Sequence, residues 1–180
     1  MSEAAIVLIG PMGAGKTSVG KRVAKALGVP FYDSDAAVVR GHGPIADIFA
    51  MHGETRFREL ERDAVATGLA QGGVVALGGG AVLDPQTQEA LRAHRVVLLT
   101  VDPAIIAGRI RGGARPLLGS AGDGGDDAVA RWNAVYETRR DLYARLADVT
   151  FDTSSGPLQG VVDAVVAWAS PHPSTTGEHA

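Results

Sequence analysis

The sequence predicts an α/β fold with a mostly parallel sheet. Short apolar runs rich in Val, Ile and Leu recur along the chain. Most are continuously apolar rather than alternating, as strands buried on both faces are. Amphipathic helical segments lie between them, and strand alternating with helix is the pattern of a parallel sheet joined by crossovers.

The strand-like runs are residues 5–9, 30–32, 74–77, 96–100 and 149–151. A first helix spans 16–27, with Val19, Val23, Ala26 and Leu27 on its apolar face and Gly28 as the stop. A charged amphipathic helix covers 54–71. Asp84-Pro85 supplies an N-cap and first-turn proline for a helix to about residue 94. Asp102-Pro103 repeats that device for a helix to about 111, and two more helices follow at 127–146 and 157–169. The stretch GGARPLLGSAGDGGDD, 112–127, reads as a mobile loop. Residues 170–180 read as a polar, disordered tail.

The 180 residues suffice for one domain with a real core. A net charge of −3 gives no global basic field for nucleic acid. The absence of cysteine excludes disulfides and thiolate metal sites. No signal-peptide pattern or membrane-length apolar run is present, so a cytoplasmic protein is expected. The five histidines are scattered, without metal-ligand spacing.

The strongest motif is Gly10-Pro-Met-Gly13-Ala-Gly15-Lys16-Thr17, a full G-x-x-x-x-G-K-[ST] match. It leaves a buried strand and opens a helix, the context such a loop needs to cradle phosphate. Glycines let backbone N–H groups turn toward phosphate oxygens, and the helix N-terminus adds partial positive charge. The expected phosphate-binding set is Gly13, Ala14, Gly15, Lys16, Thr17 and Ser18. Lys16 should reach the β- and γ-phosphates of ATP, and the Thr17 hydroxyl should ligate Mg²⁺. No Asn-Lys-x-Asp base-reading motif follows, because no lysine occurs after Lys25. A small phosphotransferase is left, with a lid loop to exclude water.

Further features bear on the acceptor. Asp33 and Asp35 stand just past the second strand, at the sheet edge where α/β proteins bind ligands. Alternation by two puts both carboxylates on one side if the chain is still extended there. One could hold Mg²⁺ through water and the other could take a proton from an acceptor hydroxyl; an N-cap role for Asp35 is the competing reading. Arg58 and Glu61 are i and i+3 on a helix and can touch, as in many solvated surface pairs. Arg115 is an isolated cation in the loose loop, suited to fold over a transferring phosphoryl group. Arg139 and Arg140 are adjacent on a helix, so at most one enters a site. The glycines of LGGGAV (Gly78, Gly79 and Gly80) leave the carboxyl end of a strand. Gly79 and Gly80 are expected to make room for the acceptor.

The phosphate loop, DSD, IADIF…GE..FR..E, LGGGAV, RPLL and R..LY occur in the order and near the spacing of one family. Together they resemble the shikimate kinase family from Ile6 to about Ala169. The resemblance implies ATP-dependent phosphorylation of the shikimate 3-hydroxyl, giving shikimate 3-phosphate and ADP in aromatic amino-acid biosynthesis. It implies a P-loop NTPase-like three-layer α/β/α domain, residues 1–169, with a five-stranded parallel sheet. A helical substrate-binding insert at about 33–62 and a lid at about 112–126 belong to it.

By that resemblance Lys16, Asp35 and Arg115 are catalytic. Asp35 binds the shikimate hydroxyls, and Asp33 stands near the Mg²⁺ shell. Arg58 and Arg139 grip the carboxylate, and Glu61 orients Arg58. Gly78, Gly79 and Gly80 line the substrate. The adenine-side arginine is Arg109 or Arg111, with Arg109 favoured. One Mg²⁺ per subunit, ATP as co-substrate, a monomer, and no nucleic-acid or membrane partner are expected. Arginine suits the shikimate carboxylate because its planar fork pairs with it bidentately.

The sequence departs from the pattern in places. Asp141 replaces a usual proline and could bring negative charge near the carboxylate. Pro44 stands where serine is common, and the lid is rich in glycine and aspartate. Competing functions are another small-metabolite kinase such as gluconate kinase, a non-catalytic ATP-binding regulator, or an interaction module using the Arg-rich helix ends. The full set of Arg58, the triple glycine and Arg139 argues against the first. Lys16, Thr17, Asp35 and Arg115 together argue against the second, and the acidic net charge against the third.

Overall fold

The computed structural model describes residues 3–111 and 125–170. Five parallel strands form one sheet: β1 (Ile6–Ile9), β2 (Phe31–Asp33), β3 (Val74–Ala76), β4 (Arg95–Thr100) and β5 (Val149–Asp152). Their order across the sheet is β2-β3-β1-β4-β5. The registers place Val7 opposite Val75 and Val96. Central β1 is wholly buried and so reads as an unbroken apolar run.

Helices cover both faces: α1 (Lys16–Leu27), α2 (Ser34–His42), α3 (Ile45–Gln71), α4 (Pro85–Leu91), α5 (Pro103–Arg111), α6 (Gly125–Leu146) and α7 (Leu158–Ala169). Strand alternation sorts the core into two halves. Ile6 and Leu8 pack with Val19 and Val23 of α1, Ile106 of α5, Trp132 of α6 and Val162 and Val165 of α7. Val7 and Ile9 pack on the other face with Val65 and Leu69 of α3, Leu91 of α4 and Tyr143 of α6. The result is a three-layer α/β/α fold, as the sequence predicts. Among the described residues no helix is long and apolar enough to cross a membrane.

Caps stand where the sequence places them. Gly28 ends α1 in the left-handed region, its N–H donating to carbonyls of the last turn. Asp84 Oδ1 accepts the Gln86 and Thr87 N–H groups at the head of α4. Asp102 Oδ1 does the same for Ala104.

The region between β2 and β3 is more helical than the sequence suggests. Helical structure begins at Ile45, not at Glu54, and continues to Gln71 across a kink at Gly53 (φ 79°, ψ 173°). Glycine alone takes that φ without a Cβ penalty, so one run of helix bends there instead of stopping. Val38 of α2 and Ile48, Phe57 and Leu60 of α3 make a separate small core within this segment.

Candidate active site

Four strand ends bring the phosphate loop, Asp33, the glycine run and one residue the sequence did not single out to the carboxyl edge of the sheet. β1 runs into the phosphate loop, β2 into Asp33, β3 into the glycine run, and β5 into Thr153. This is the edge at which open parallel sheets bind ligands.

The loop from Gly10 to Gly15 carries positive φ at Gly10 (139°), Gly13 (81°) and Gly15 (92°). Gly10 lies against the Leu99 carbonyl, so a Cβ there would overlap backbone of β4. Lys16 Nζ donates to the Gly10 and Pro11 carbonyls at 2.7 and 2.9 Å. Lys16 thus lies along the inside of the loop, and Ser18 is exposed one turn into α1. The Thr17 hydroxyl donates to Asp33 Oδ2 at 2.7 Å.

Asp33 and Asp35 do not alternate along a strand. The chain turns helical at Ser34, so Asp33 ends β2 and caps α2, and Asp35 lies in the first turn. The N-cap role considered for Asp35 belongs to Asp33, whose Oδ1 accepts the Ala36 N–H at 3.0 Å. With its other oxygen on Thr17, Asp33 fixes α2 to the phosphate loop. The Ser34 Oγ, fully buried, accepts the Gly78 N–H at 3.0 Å and ties α2 to the glycine run.

Each glycine of the run faces a different group. A Cβ on Gly78 would overlap the Asp35 carboxylate, and one on Gly80 would stand 2.6 Å from Arg58 Nη1. Gly79 would meet only ordinary contacts, at 3.7 Å, with Gly10 O, Met12 N and the Tyr143 hydroxyl. None of the three takes a positive φ. The absent side chains make room first for Asp35 and Arg58 of the neighbouring helices. The expectation that Gly79 and Gly80 are the spacers therefore shifts to Gly78 and Gly80.

Arg58 and Glu61 form a part-buried pair, not a solvated one. Arg58 Nη1 lies 2.6 Å from Glu61 Oε2, and the Glu61 side chain is 5% exposed against 28% for Arg58. Burial pushes the Glu61 carboxyl above its ordinary value. The hydrogen bond and charge of Arg58 oppose that rise, the Asp35 charge adds to it, and the Arg139 charge opposes it. Glu61 therefore sits within electrostatic reach of Asp35, Arg58 and Arg139, though these come from three helices.

Arg139 is half-buried and interacts with the buried Tyr143, whose hydroxyl donates to the Gly79 carbonyl at 2.5 Å. Arg140 turns outward to Glu137, so one arginine of the pair reaches the cluster. Asp141 is 94% exposed and pairs with Arg140 at 3.7 Å. Its side chain faces solvent, and α6 runs unbroken through it from Gly125 to Leu146.

Arg109 donates to the Gly13 carbonyl at 2.7 Å and straddles Thr153, touching its Oγ1 at 3.2 Å and its carbonyl. Arg115, the lid and the tail beyond 170 lie outside the described residues, as does the Arg111 side chain. Thr17 and Asp33 offer a hydroxyl and a carboxylate oxygen side by side, the hard donors that suit Mg²⁺. Among the described residues no cluster of three His, Cys, Asp or Glu side chains forms a metal cage. A Mg²⁺ carried mainly by nucleotide phosphates needs none.

Three residues near the loop went unnoticed in the sequence: Thr153, Trp132 and Tyr143 as a contact to Gly79. Trp132, Tyr136, Arg139 and Tyr143 recur at i, i+4, i+7 and i+11. That spacing puts all four on one face of α6 and marks Trp132 and Tyr143 as sharing the face of Arg139, though not what they touch; nothing in the sequence marks Thr153. A hollow of about 410 Å³ lined by Arg92, His94, Arg145 and Asp148 lies at the opposite edge of the sheet, where β4 and β5 begin.

Comparison with known proteins agrees with this geometry. The family profile described as shikimate kinase matches residues 12–170. The chain is 47% identical over 151 residues to the shikimate kinase of Thermobifida fusca, covering 82% of this chain and 84% of that one. It is 42% identical over 164 residues to the shikimate kinase of Mycobacterium avium, covering 89% and 90%. The structure of shikimate kinase from Acinetobacter baumannii in complex with shikimate superposes with a TM-score of 0.83 at 31% identity, covering 93% of each chain. With the phosphate loop, the triple glycine and the Arg58–Glu61–Arg139 cluster on one sheet edge, this chain belongs to the shikimate kinase family.

Proposed function

We propose that the chain transfers the γ-phosphoryl group of ATP to the 3-hydroxyl of shikimate, giving shikimate 3-phosphate and ADP. The observation that carries this reading is the meeting of two chemistries on one edge. A phosphate loop stands beside a pocket wall of Asp35, Arg58 and Arg139, two guanidiniums for a carboxylate and one carboxylate for hydroxyls.

Lys16 and the loop N–H groups hold the phosphates and offset the charge that spreads over the γ-oxygens. Arg58, oriented by Glu61, and Arg139 fix the shikimate carboxylate. Asp35, held between α2 and Gly78, accepts the proton of the 3-hydroxyl as its oxygen bonds to the γ-phosphorus. The bond to the β–γ bridging oxygen breaks, and that oxygen leaves on ADP. Thr17 and, through water, Asp33 would hold Mg²⁺, which when bound would neutralise charge on the transferring phosphoryl group. Arg109 serves the adenine side, and Arg115 covers the transferring group.

The domain spans 1–169, with the insert at about 33–62 and the lid at about 112–126. The protein acts as a cytoplasmic monomer without nucleic-acid or membrane partners. The test is the product itself. With MgATP and shikimate, NMR should show one new phosphate ester coupled to the proton on carbon 3. An ester at another carbon, or none, contradicts the assignment.

A further inference from the structure

Three successive carbonyls of the phosphate loop are each held from outside. Met12 O accepts the Trp132 indole N–H at 2.8 Å. Gly13 O accepts Arg109 Nη1 at 2.7 Å, and Ala14 O accepts the Thr153 hydroxyl at 2.8 Å. The donors come from three elements: α6, α5 and the turn after β5. Trp132 and Thr153 are 3% and 2% exposed, so both bonds are shielded from water. Arg109 links two of the contacts, because its fork also grips Thr153.

A trans peptide is planar, so its C=O and the following N–H point opposite ways. Fixing the Met12 carbonyl outward turns the Gly13 N–H toward the inside of the loop. Fixing the Ala14 carbonyl does the same for the Gly15 N–H. The Ala14 N–H is taken within the loop by Pro11 O at 3.3 Å. Glycines at 13 and 15 make the curve possible but also let the loop take many other shapes. Something must select one of them, and inward N–H groups are what an anion-binding loop needs.

We propose that Trp132, Arg109 and Thr153 are positioning residues that preset the anion-binding shape of the phosphate loop by clamping its carbonyls from behind. The clamp rests on the reading of the loop as a nucleotide site. It adds that this site is ordered by α6, the helix that also carries Arg139 and Tyr143 to the acceptor side.

The test uses Trp132→Phe, which keeps the ring but not the N–H, and Thr153→Val, which keeps the shape but not the hydroxyl. Each should weaken binding of MgADP and of inorganic pyrophosphate by the same factor, about five-fold, in calorimetry. Shikimate KM should stay within about two-fold of wild type. Thr153→Ser should restore pyrophosphate affinity. Pyrophosphate is the decisive probe because it meets the loop without the adenine side. Trp132 should also report binding. With only two tryptophans in the chain, Trp168→Phe should keep a fluorescence change on MgADP addition and Trp132→Phe should lose it. Wild-type pyrophosphate affinity in both clamp variants overturns the proposal. If wild-type protein itself binds neither MgADP nor pyrophosphate, the nucleotide-site reading falls instead.

Discussion

The carboxylate of Asp35 occupies the space that a Cβ on Gly78 would take. The two residues come from different crossovers, and the neighbouring Ser34–Gly78 bond at 3.0 Å fixes their backbones together. A methyl at 78 would meet that carboxylate at overlapping distance and push it aside. Gly78→Ala should therefore displace the carboxylate and lower kcat by about 10²-fold, the scale expected when a reacting group moves by about 1 Å. Asp35→Asn should lower kcat by about 10²-fold or more while ATP affinity holds. Gly79→Ala meets only ordinary contacts and should change kcat and both KM values by no more than about two-fold. Steady-state kinetics of the three variants decide the matter. A Gly79→Ala defect larger than that of Gly78→Ala would contradict the assignment.

Arg58 is aimed by a buried partner. Its Nη1 donates to Glu61 while its Nε lies 3.5 Å from the exposed Glu54, so the guanidinium is steered from two sides. Arg58→Lys keeps the charge but loses the planar fork, and shikimate KM should rise about ten-fold with ATP KM unchanged. Glu61→Gln keeps an acceptor but removes the charge that orients the guanidinium, and a smaller rise of about five-fold is expected. Wild-type shikimate KM in both variants would place the pair outside the acceptor site.

Stability should depend on pH through His94. Its Nδ1 accepts the Ala5 N–H at 3.0 Å, and burial holds its pKa below the ordinary 6.5. The unfolded chain then binds the proton more readily than the folded one. The stabilisation is complete above 6.5 and is lost as pH falls from there toward the depressed folded value. Thermal melts from pH 7.5 to 5.5 should show a falling Tm. His94→Asn, which keeps an acceptor for Ala5 without a titrating ring, should flatten that part of the slope. An equal slope in the variant would contradict the assignment.

Much of this was legible in the sequence because it rests on local chemistry. Gly10–Thr17 announces itself by residue type and spacing, and Asp84-Pro85 and Asp102-Pro103 mark helix starts through their own side chains. The kink at Gly53 was not legible, because glycine there reads equally well as a stop. Nor was the switch at Ser34. Asp33 and Asp35 look alike in an extended chain; Asp33 caps the helix through the Ala36 N–H, and its other oxygen takes the Thr17 hydroxyl, 16 residues away. Separation hid the rest. Thr153 reaches Ala14 across 139 residues and Trp132 reaches Met12 across 120, and no spacing rule connects them.

The central claim is the pairing of this phosphate loop with a polyol acid held by Arg58 and Arg139. A coupled assay of ADP release with shikimate, quinate and gluconate as acceptors tests it most directly. Turnover should be greatest with shikimate and near background with gluconate, which lacks the ring that spans Asp35 and the two arginines. Turnover of gluconate with none of shikimate would contradict the account.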